Sequence, residues 1–283
     1  MQKINESFVR ENLPVRDISG NKGSFGKLEL IVGSEKYRGA AQLALEAALR
    51  FGAGYVTVTS AESVCSRLSA VFPEAIYRSV NGITEQLPLQ AGSTVLIGCG
   101  CDISEELYRL TRRLLATPGG TLIIDADAIN SLAAYSANPI ELLRTAVREV
   151  VLLPHPLEFS RLTGIPVSDI EANREECARR YASESGTVVV LKGHATVVTD
   201  GERVLVNTSG SSALAKAGSG DTLAGALSSL AATRLASPLV LSAIAVFVHG
   251  MAADCLAEEY SEYGVTPSDL PKQMARGLAL LSK

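Results

Sequence analysis

Short runs of β-branched and aliphatic residues alternate with helical patterns along most of this chain. The runs are Leu28–Val32, Tyr55–Thr59, Thr94–Ile97, Thr121–Ile124, Val150–Leu153 and Thr187–Leu191. Helical spacing marks Ala40–Phe51, Glu105–Leu115 and a stretch from Ser168 to Glu184 between them. Runs that stay apolar without alternating are buried on both faces, and helical crossovers between them make neighbours parallel. The pattern therefore predicts an α/β fold with a mostly parallel sheet covered by helices on both sides. Two later runs, Ala195–Thr199 and Arg203–Val206, flank Asp200-Gly201, the signal for a hairpin with a type I′ turn. Two helices follow, Gly220–Thr233 and Pro238–Glu259. No linker, repeat or low-complexity tract divides the chain, so residues 1–283 read as one domain with residues 1–25 as an arm across it.

Composition narrows the partners. Hydrophobic residues make up 47%, with 24 glycines and no tryptophan, which argues against disorder. A formal charge of −4 supplies no basic field, so nucleic acid and anionic membrane are not expected partners. The first residues lack the apolar core of a signal peptide. The most apolar stretch, Pro238 to Val248, is followed by His249, Gly250 and Asp254, and reads as a buried helix too short and interrupted to span a bilayer. The five cysteines (Cys65, Cys99, Cys101, Cys177 and Cys255) form no Cys-x-x-Cys pair. Free thiols in a reducing cytoplasm are the expectation, and three scattered histidines offer no ligand cluster for a thiolate metal site.

Polar clusters follow the predicted strands, where open α/β sheets collect ligands. They are Gly33-Ser34, Gly98-Cys99-Gly100-Cys101-Asp102, Asp125-Ala126-Asp127, Pro154-His155-Pro156-Leu157-Glu158 and Lys192-Gly193-His194-Ala195-Thr196. The most informative stretch comes later, where Gly218-Ser219-Gly220-Asp221 opens the helix Gly220–Thr233. A glycine turn at a helix start points free N–H groups and the positive end of the macrodipole at an anion, usually phosphate. A carboxylate beside that hole can take the proton of a hydroxyl being phosphorylated. The alternative is a plain connector with an acidic helix start.

The order and spacing of these blocks resemble the ADP- or ATP-dependent NAD(P)H-hydrate dehydratases of the ribokinase-like superfamily, from about residue 8 to residue 275. Lys22 to Lys27, Gly39-Ala40-Ala41 through Gly52-Ala53-Gly54, Asn207, Val248-His249-Gly250 and Ser268-Asp269-Leu270 complete the likeness. The resemblance implies a three-layer α/β/α ribokinase-like fold. It also implies ADP-dependent repair of hydrated NADH and NADPH, with ADP (or ATP) and Mg²⁺ required and AMP and phosphate formed. Asp221 would be the catalytic base, a carboxylate near its ordinary pKa, with the Gly218, Ser219 and Gly220 amides stabilising the transferring phosphoryl group. Lys192, Gly193, His194, Ala195 and Thr196 would hold the nucleotide, and Ala40 or Ala41, Gly100 and His155 the hydrated cofactor. Glu158 would help hold Mg²⁺ through water.

Plainer readings stand beside these. Residues 39–41 also suit helix packing, His155 a loop imidazole bonded to backbone, and Glu158 a partly exposed helix start. His194 reads as a surface residue and His249 as a satisfied core histidine. Asp125 and Asp127, two apart on an extended segment, would share a side as metal or phosphate residues, or else cap the next helix. Lys192 and Lys216 are the only nearby cations in the matched blocks, which favours the diphosphate over the triphosphate. The chain departs from the family pattern at Cys99, Asp102, Leu157, Ser211 and Ala217. Expected partners are the nucleotide, hydrated NAD(P)H, further copies in a homo-oligomer, and a separate epimerase. The alternatives are a kinase of a vitamin precursor or sugar, or a nucleotide-binding relative without catalysis.

Overall fold

The computed structural model describes residues 1–282. One sheet of ten strands runs through it in the order β1-β10-β9-β8-β7-β6-β5-β2-β3-β4. The central strands are β2 (Lys27–Ile31), β3 (Tyr55–Ala61), β5 (Thr94–Ile97), β6 (Leu122–Ile124), β7 (Val150–Leu152) and β8 (Val188–Leu191), all parallel to one another. Edge strand β4 (Ile76–Val80) joins β3 in parallel. At the other side β9 (Val197–Thr199) runs antiparallel to β8 and to β10 (Val204–Asn207), and β1 (Gln2–Ile4) adds in parallel to β10.

Strand side chains alternate between two cores, as the pleat requires. Leu28, Leu30, Leu96, Ile123, Val151 and Val190 face one, with α2 (Arg38–Leu49), α10 (Ser219–Thr233), α11 (Pro238–Gly264) and α12 (Leu270–Leu281). Ile31, Val95, Ile97, Leu122, Ile124, Leu152, Val189 and Leu191 face the other, with α4 (Glu105–Leu115), α5 (Ala126–Tyr135), α7 (Pro156–Thr163) and α9 (Arg174–Ser185). Helices on both faces of the sheet make the expected three-layer α/β/α sandwich.

Some expectations need correction. The residue 168–184 pattern is two helices, α8 (Val167–Ala172) and α9, parted at Asn173, whose φ of −140° and ψ of 47° lie outside the helix. The β9–β10 hairpin exists, but its turn is not type I′, which needs positive φ at two central residues. Val204 pairs with Thr199 across four loop residues, and of these Gly201 has the positive φ, +94°. Asp200 Oδ1 closes the loop by accepting the Glu202 and Arg203 amides. The first residues are more than an arm: β1 joins the sheet, and α1 (Glu6–Asn12) buries Phe8 and Val9. Helix α11 is long and apolar enough in composition to cross a membrane, though Ser261 (φ 62°, ψ 165°) breaks it near its end, so its continuous part matches the expected Pro238–Glu259. Within this fold 78% of that apolar window is buried.

Helices α2 and α10 cross backbone to backbone. A Cβ built on Gly225 would lie 2.1 Å from the Ala44 carbonyl oxygen, so only glycine fits there.

Candidate functional site

Strands β8, β7, β6, β5 and β2 are consecutive neighbours, so the five polar clusters become one row of loops along the carboxyl edge. The chain reverses its winding between β2 and β5, which is where α/β sheets open a crevice. Backbone bonds tie the row together: the Gly33 amide donates to the Cys99 carbonyl (2.7 Å) and the Lys192 amide to the Pro154 carbonyl (2.8 Å).

Helix α10 points its N-terminus into this row. Gly218, with φ +101°, is its N-cap, and no side chain caps the helix. The Ser219 amide donates to the Lys216 carbonyl (3.2 Å), which removes it from the expected anion hole. The Gly220 and Asp221 amides have no partner among the described residues. Ser219 Oγ is buried without a partner as well. Buried polar atoms left unsatisfied are rare enough to require an occupant or a reason.

A cavity of about 390 Å³ opens beside that terminus. Lys192, Gly193, His194, Ala195 and Thr196 line it together with Ser219 and Gly220, as the nucleotide assignment requires. Gly218 is not among its lining residues. Gly193 adopts φ +147°, and a Cβ there would meet the Arg174 guanidinium at 2.8 Å. That guanidinium donates to the Leu191 and Lys192 carbonyls (2.9 and 3.1 Å), so α9 braces the loop from below. Arg174, a helical arginine like its neighbours, carries no cue of this role in its sequence context. The Ser/Gly-rich loop after β10 (Ser209, Gly210, Ser211 and Ser212) completes the wall, held where Asp254 accepts the Gly210 amide (2.8 Å). His249 is buried as expected, 3.2 Å from Thr222 Oγ1, and also lines the cavity. Burial lowers its pKa to about 4, so the ring is neutral at physiological pH.

A buried charge cluster adjoins the cavity. Lys192 Nζ lies 2.6 Å from Asp125 Oδ1 and 3.9 Å from Glu158 Oε2. Burial opposes its charge, but the two carboxylates more than compensate, and its pKa is raised. A Cβ on Gly220 would sit 3.5 Å from the same Nζ, which places the ammonium at the helix terminus. Lys216 is not a second cation here: its Nζ bonds the Tyr263 carbonyl (2.6 Å) and the Val265 carbonyl. Asp125 does not share an extended segment with Asp127. Ala126 takes φ +47° and starts α5 between them. Asp125 caps that helix through the Ala126 amide (2.8 Å), and Asp127 accepts the Asp102 amide (2.9 Å).

Asp221, in the first turn of α10, is not an ordinary carboxylate. Burial and then the nearby Asp125 charge raise its pKa to about 6, against smaller opposing effects of Lys192 and Cys99. A base poised near neutrality is better matched to proton abstraction than one at 3.8. Glu158 is buried, not partly exposed, and burial raises it to about 7. Its carboxylate accepts the His155 amide (2.8 Å) and lies 3.2 Å from His155 Nε2. His155 Nδ1 in turn accepts the Leu157 and Glu158 amides, a reciprocal cap for α7. The imidazole is therefore a helix cap whose side chain remains 45% exposed beside the cleft. Among the described residues no three His, Cys, Asp or Glu side chains group so as to hold a metal ion.

Of the residues assigned to the hydrated cofactor, Ala40 and Gly100 meet. Gly100 has φ +65°, and a Cβ on it would lie 2.8 Å from the Ala40 Cβ. Ala41 is fully buried against Gly33, a packing residue out of reach of ligand.

A family model described as NAD(P)H-hydrate dehydratase matches residues 28–276. The chain belongs to the NAD(P)H-hydrate dehydratase family. The ADP-dependent (S)-NAD(P)H-hydrate dehydratase of Bacillus subtilis strain 168 is 35% identical over 96% of this chain and 95% of its own length. The bifunctional NAD(P)H-hydrate repair enzyme of Thermofilum pendens is 32% identical, and the chain spans about half of that protein (53%). Among solved structures, the ADP/ATP-dependent NAD(P)H-hydrate dehydratase from Bacillus subtilis, co-crystallized with ATP/Mg²⁺, superposes with a TM-score of 0.88. That likeness covers 99% of this chain and 98% of the other at 31% identity.

Proposed function

We propose that this chain is an ADP-dependent dehydratase that restores NADH and NADPH from their hydrated forms. The observation that carries the reading is the unpartnered Gly220 amide and Ser219 hydroxyl, which line a cavity with residues 192–196 and are followed at once by Asp221. Asp221 removes the proton from the ring hydroxyl, whose oxygen then attacks the terminal phosphorus of the nucleotide. The bond to AMP breaks, with the charge on the transferring group met by the α10 amides and Lys192. The ring nitrogen lone pair then expels phosphate, and loss of a neighbouring ring proton restores the double bond. That second stage asks little of the protein.

The nucleotide fits the orphaned donors at α10, whereas Mg²⁺ finds no protein cage. A magnesium ion that keeps most of its waters and is carried by the phosphates would match this arrangement, and Glu158 would help hold it through water. Bound there it would supply charge neutralisation. Ala40 and Gly100 would admit the flat ring against backbone, and His155 would border it. Lys192, itself paired with Asp125, is the only lysine or arginine lining the cavity, and ADP matches that better than ATP. We place the enzyme in the cytoplasm, as a homo-oligomer served by a separate epimerase.

Incubation with hydrated NADH and repurified ADP or ATP, followed by absorbance of regenerated NADH, tests the reading. The expected result is a higher kcat/KM with ADP and formation of AMP. A clearly higher value with ATP overturns the donor assignment, and no NADH with either overturns the activity.

A further inference from the structure

The loop of residues 192–196 lines the cavity in a conformation it cannot hold unaided. Gly193 takes φ +147° and Ala195 φ +53°, so two of its five residues lie in the left-handed region, one of them with a side chain. Backbone of that kind persists where the surroundings over-determine it. Inside the loop, Thr196 Oγ1 donates to the Gly193 carbonyl (2.9 Å) and accepts the Gly193 amide (3.3 Å). The Lys192 amide is tied to the Pro154 carbonyl (2.8 Å). The Leu191 and Lys192 carbonyls, where the chain leaves β8, are held from outside by one side chain, Arg174.

Arg174 is the first residue of α9, directly after the break from α8 at Asn173. Its Nη2 donates to both carbonyls, and its Nη1 lies 3.0 Å from each oxygen of Glu171 on α8. The side chain is 11% exposed, and its Nε is buried without a partner. A charged group that leaves one N–H unsatisfied serves stability poorly, so the carbonyl clamp is the reason for its place. Only a planar fork spans two carbonyls and a carboxylate at once, which a single ammonium cannot do. The guanidinium also fills the space a side chain at residue 193 would need. Arg174 is absent from the cavity lining, and its charge is met by Glu171, so it is not a further cation for phosphate.

We propose that Arg174 is a positioning residue for nucleotide binding, its guanidinium fixing the Lys192–Gly193 backbone so that the Lys192 ammonium and the amides of His194 and Ala195 are presented to the ligand. The proposal rests on this loop being the nucleotide's. Those two amides have no partner among the described residues. With its backbone held and Asp125 Oδ1 2.6 Å from its Nζ, Lys192 is located at both ends of its side chain. A loop released from the clamp can relax at Gly193 and Ala195, and the nucleotide must then order it again at the expense of affinity. Ala40 and Gly100 lie behind β2 and β5, beyond β7 and β6 from this loop, so the ring pocket does not share the brace.

The test compares native protein with Arg174→Met, which keeps the stem and loses the fork, and Arg174→Lys, which keeps a charge opposite Glu171. Each is studied well below its own melting temperature. Calorimetry should show ADP binding about tenfold weaker in Arg174→Met and weakened by less in Arg174→Lys. KM for ADP should rise by the same factors, with KM for hydrated NADH within about twofold of native. Should the methionine variant not fold, the lysine variant decides by the same two measurements. Native ADP affinity in either folded variant overturns the proposal, as does a rise shared equally by both KM values, which would mark general loosening. Native protein that binds ADP yet regenerates no NADH overturns the dehydratase reading and leaves the brace standing. Native protein that binds neither ADP nor ATP overturns both.

Discussion

Helix α10 has a cavity at each end, and the smaller one is lined by the candidate site residues. At its N-terminus is the space of about 390 Å³ lined by Ser219, Gly220 and Leu223. At its C-terminal end Leu230 and Thr233 line a larger one of about 600 Å³, together with Leu13, Phe51, Leu278 and three arginines. Those arginines are already engaged. Arg16 donates to the Gly52 carbonyl (2.8 Å) and stacks 3.6 Å over the Phe25 ring, and Arg10 bonds Glu6 and the Leu281 carbonyl. The small cavity instead keeps a free amide and an unpartnered hydroxyl, at the end of the helix where the macrodipole favours an anion. Open hydrogen-bonding capacity, and not volume, separates the two.

Asp221→Asn should show the largest difference. It preserves shape but cannot take a proton, so turnover should fall on the order of 10²–10⁴-fold while calorimetry still shows nucleotide binding. Native activity should fall as pH drops through about 6, where Asp221 becomes protonated. The same change should stabilise the fold. An aspartate raised from 3.8 to about 6 contributes stability that is fully present below 3.8 and is lost as pH rises through 6. Asparagine escapes that loss, so the variant should melt a few degrees higher at pH 8 and show no gain below about pH 4. Near-native turnover would remove Asp221 from the chemistry.

Gly220→Val should rank second. Gly220 is helical without a positive φ, so the effect does not come from a distorted turn. A branched side chain there would extend from a Cβ 3.5 Å from Lys192 Nζ and occupy the space offered to phosphate. Nucleotide affinity should fall on the order of tenfold or more by calorimetry, and an unchanged affinity would move the anion site elsewhere. The smallest effect belongs to the other end. Arg16→Ala should leave kcat/KM within about twofold of native, because its contacts lie far from the reacting groups. A large loss there would show that the bigger cavity takes part.

The sheet was legible because its central strands are short runs rich in aliphatic and β-branched residues, separated by helical patterns. Edge strands were not: β4 is half exposed, and β1 has three residues whose partner lies at the far end of the chain. Helix α7 carried an unused signal, proline at its start and Gly164 in the left-handed region (φ +75°) at its end. At the site, Gly218 to Asp221 could be read because cap, amides and carboxylate are adjacent in sequence. The Cys99, Asp125 and Lys192 cluster could not, since three separate strands deliver its members, and burial with the nearby Asp125 charge makes Asp221 and Glu158 unusual acids. Lys216 shows the reverse error, a cation near in sequence that folding turns toward two carbonyls.

The crossing of Gly225 on the Ala44 carbonyl also sets when the site can first exist. Helix α2 emerges early in synthesis and α10 late, and neither has its partner surface until most of the intervening strands are made. A nascent chain ending before residue 218 can assemble β2 to β8 and display the loops behind them, yet has no oxyanion-binding turn and no base. Contacts between such distant segments close slowly, which makes their docking a late event in folding. Activity thus reports completion of the whole fold, and a protein stalled before that step carries a sheet without an enzyme.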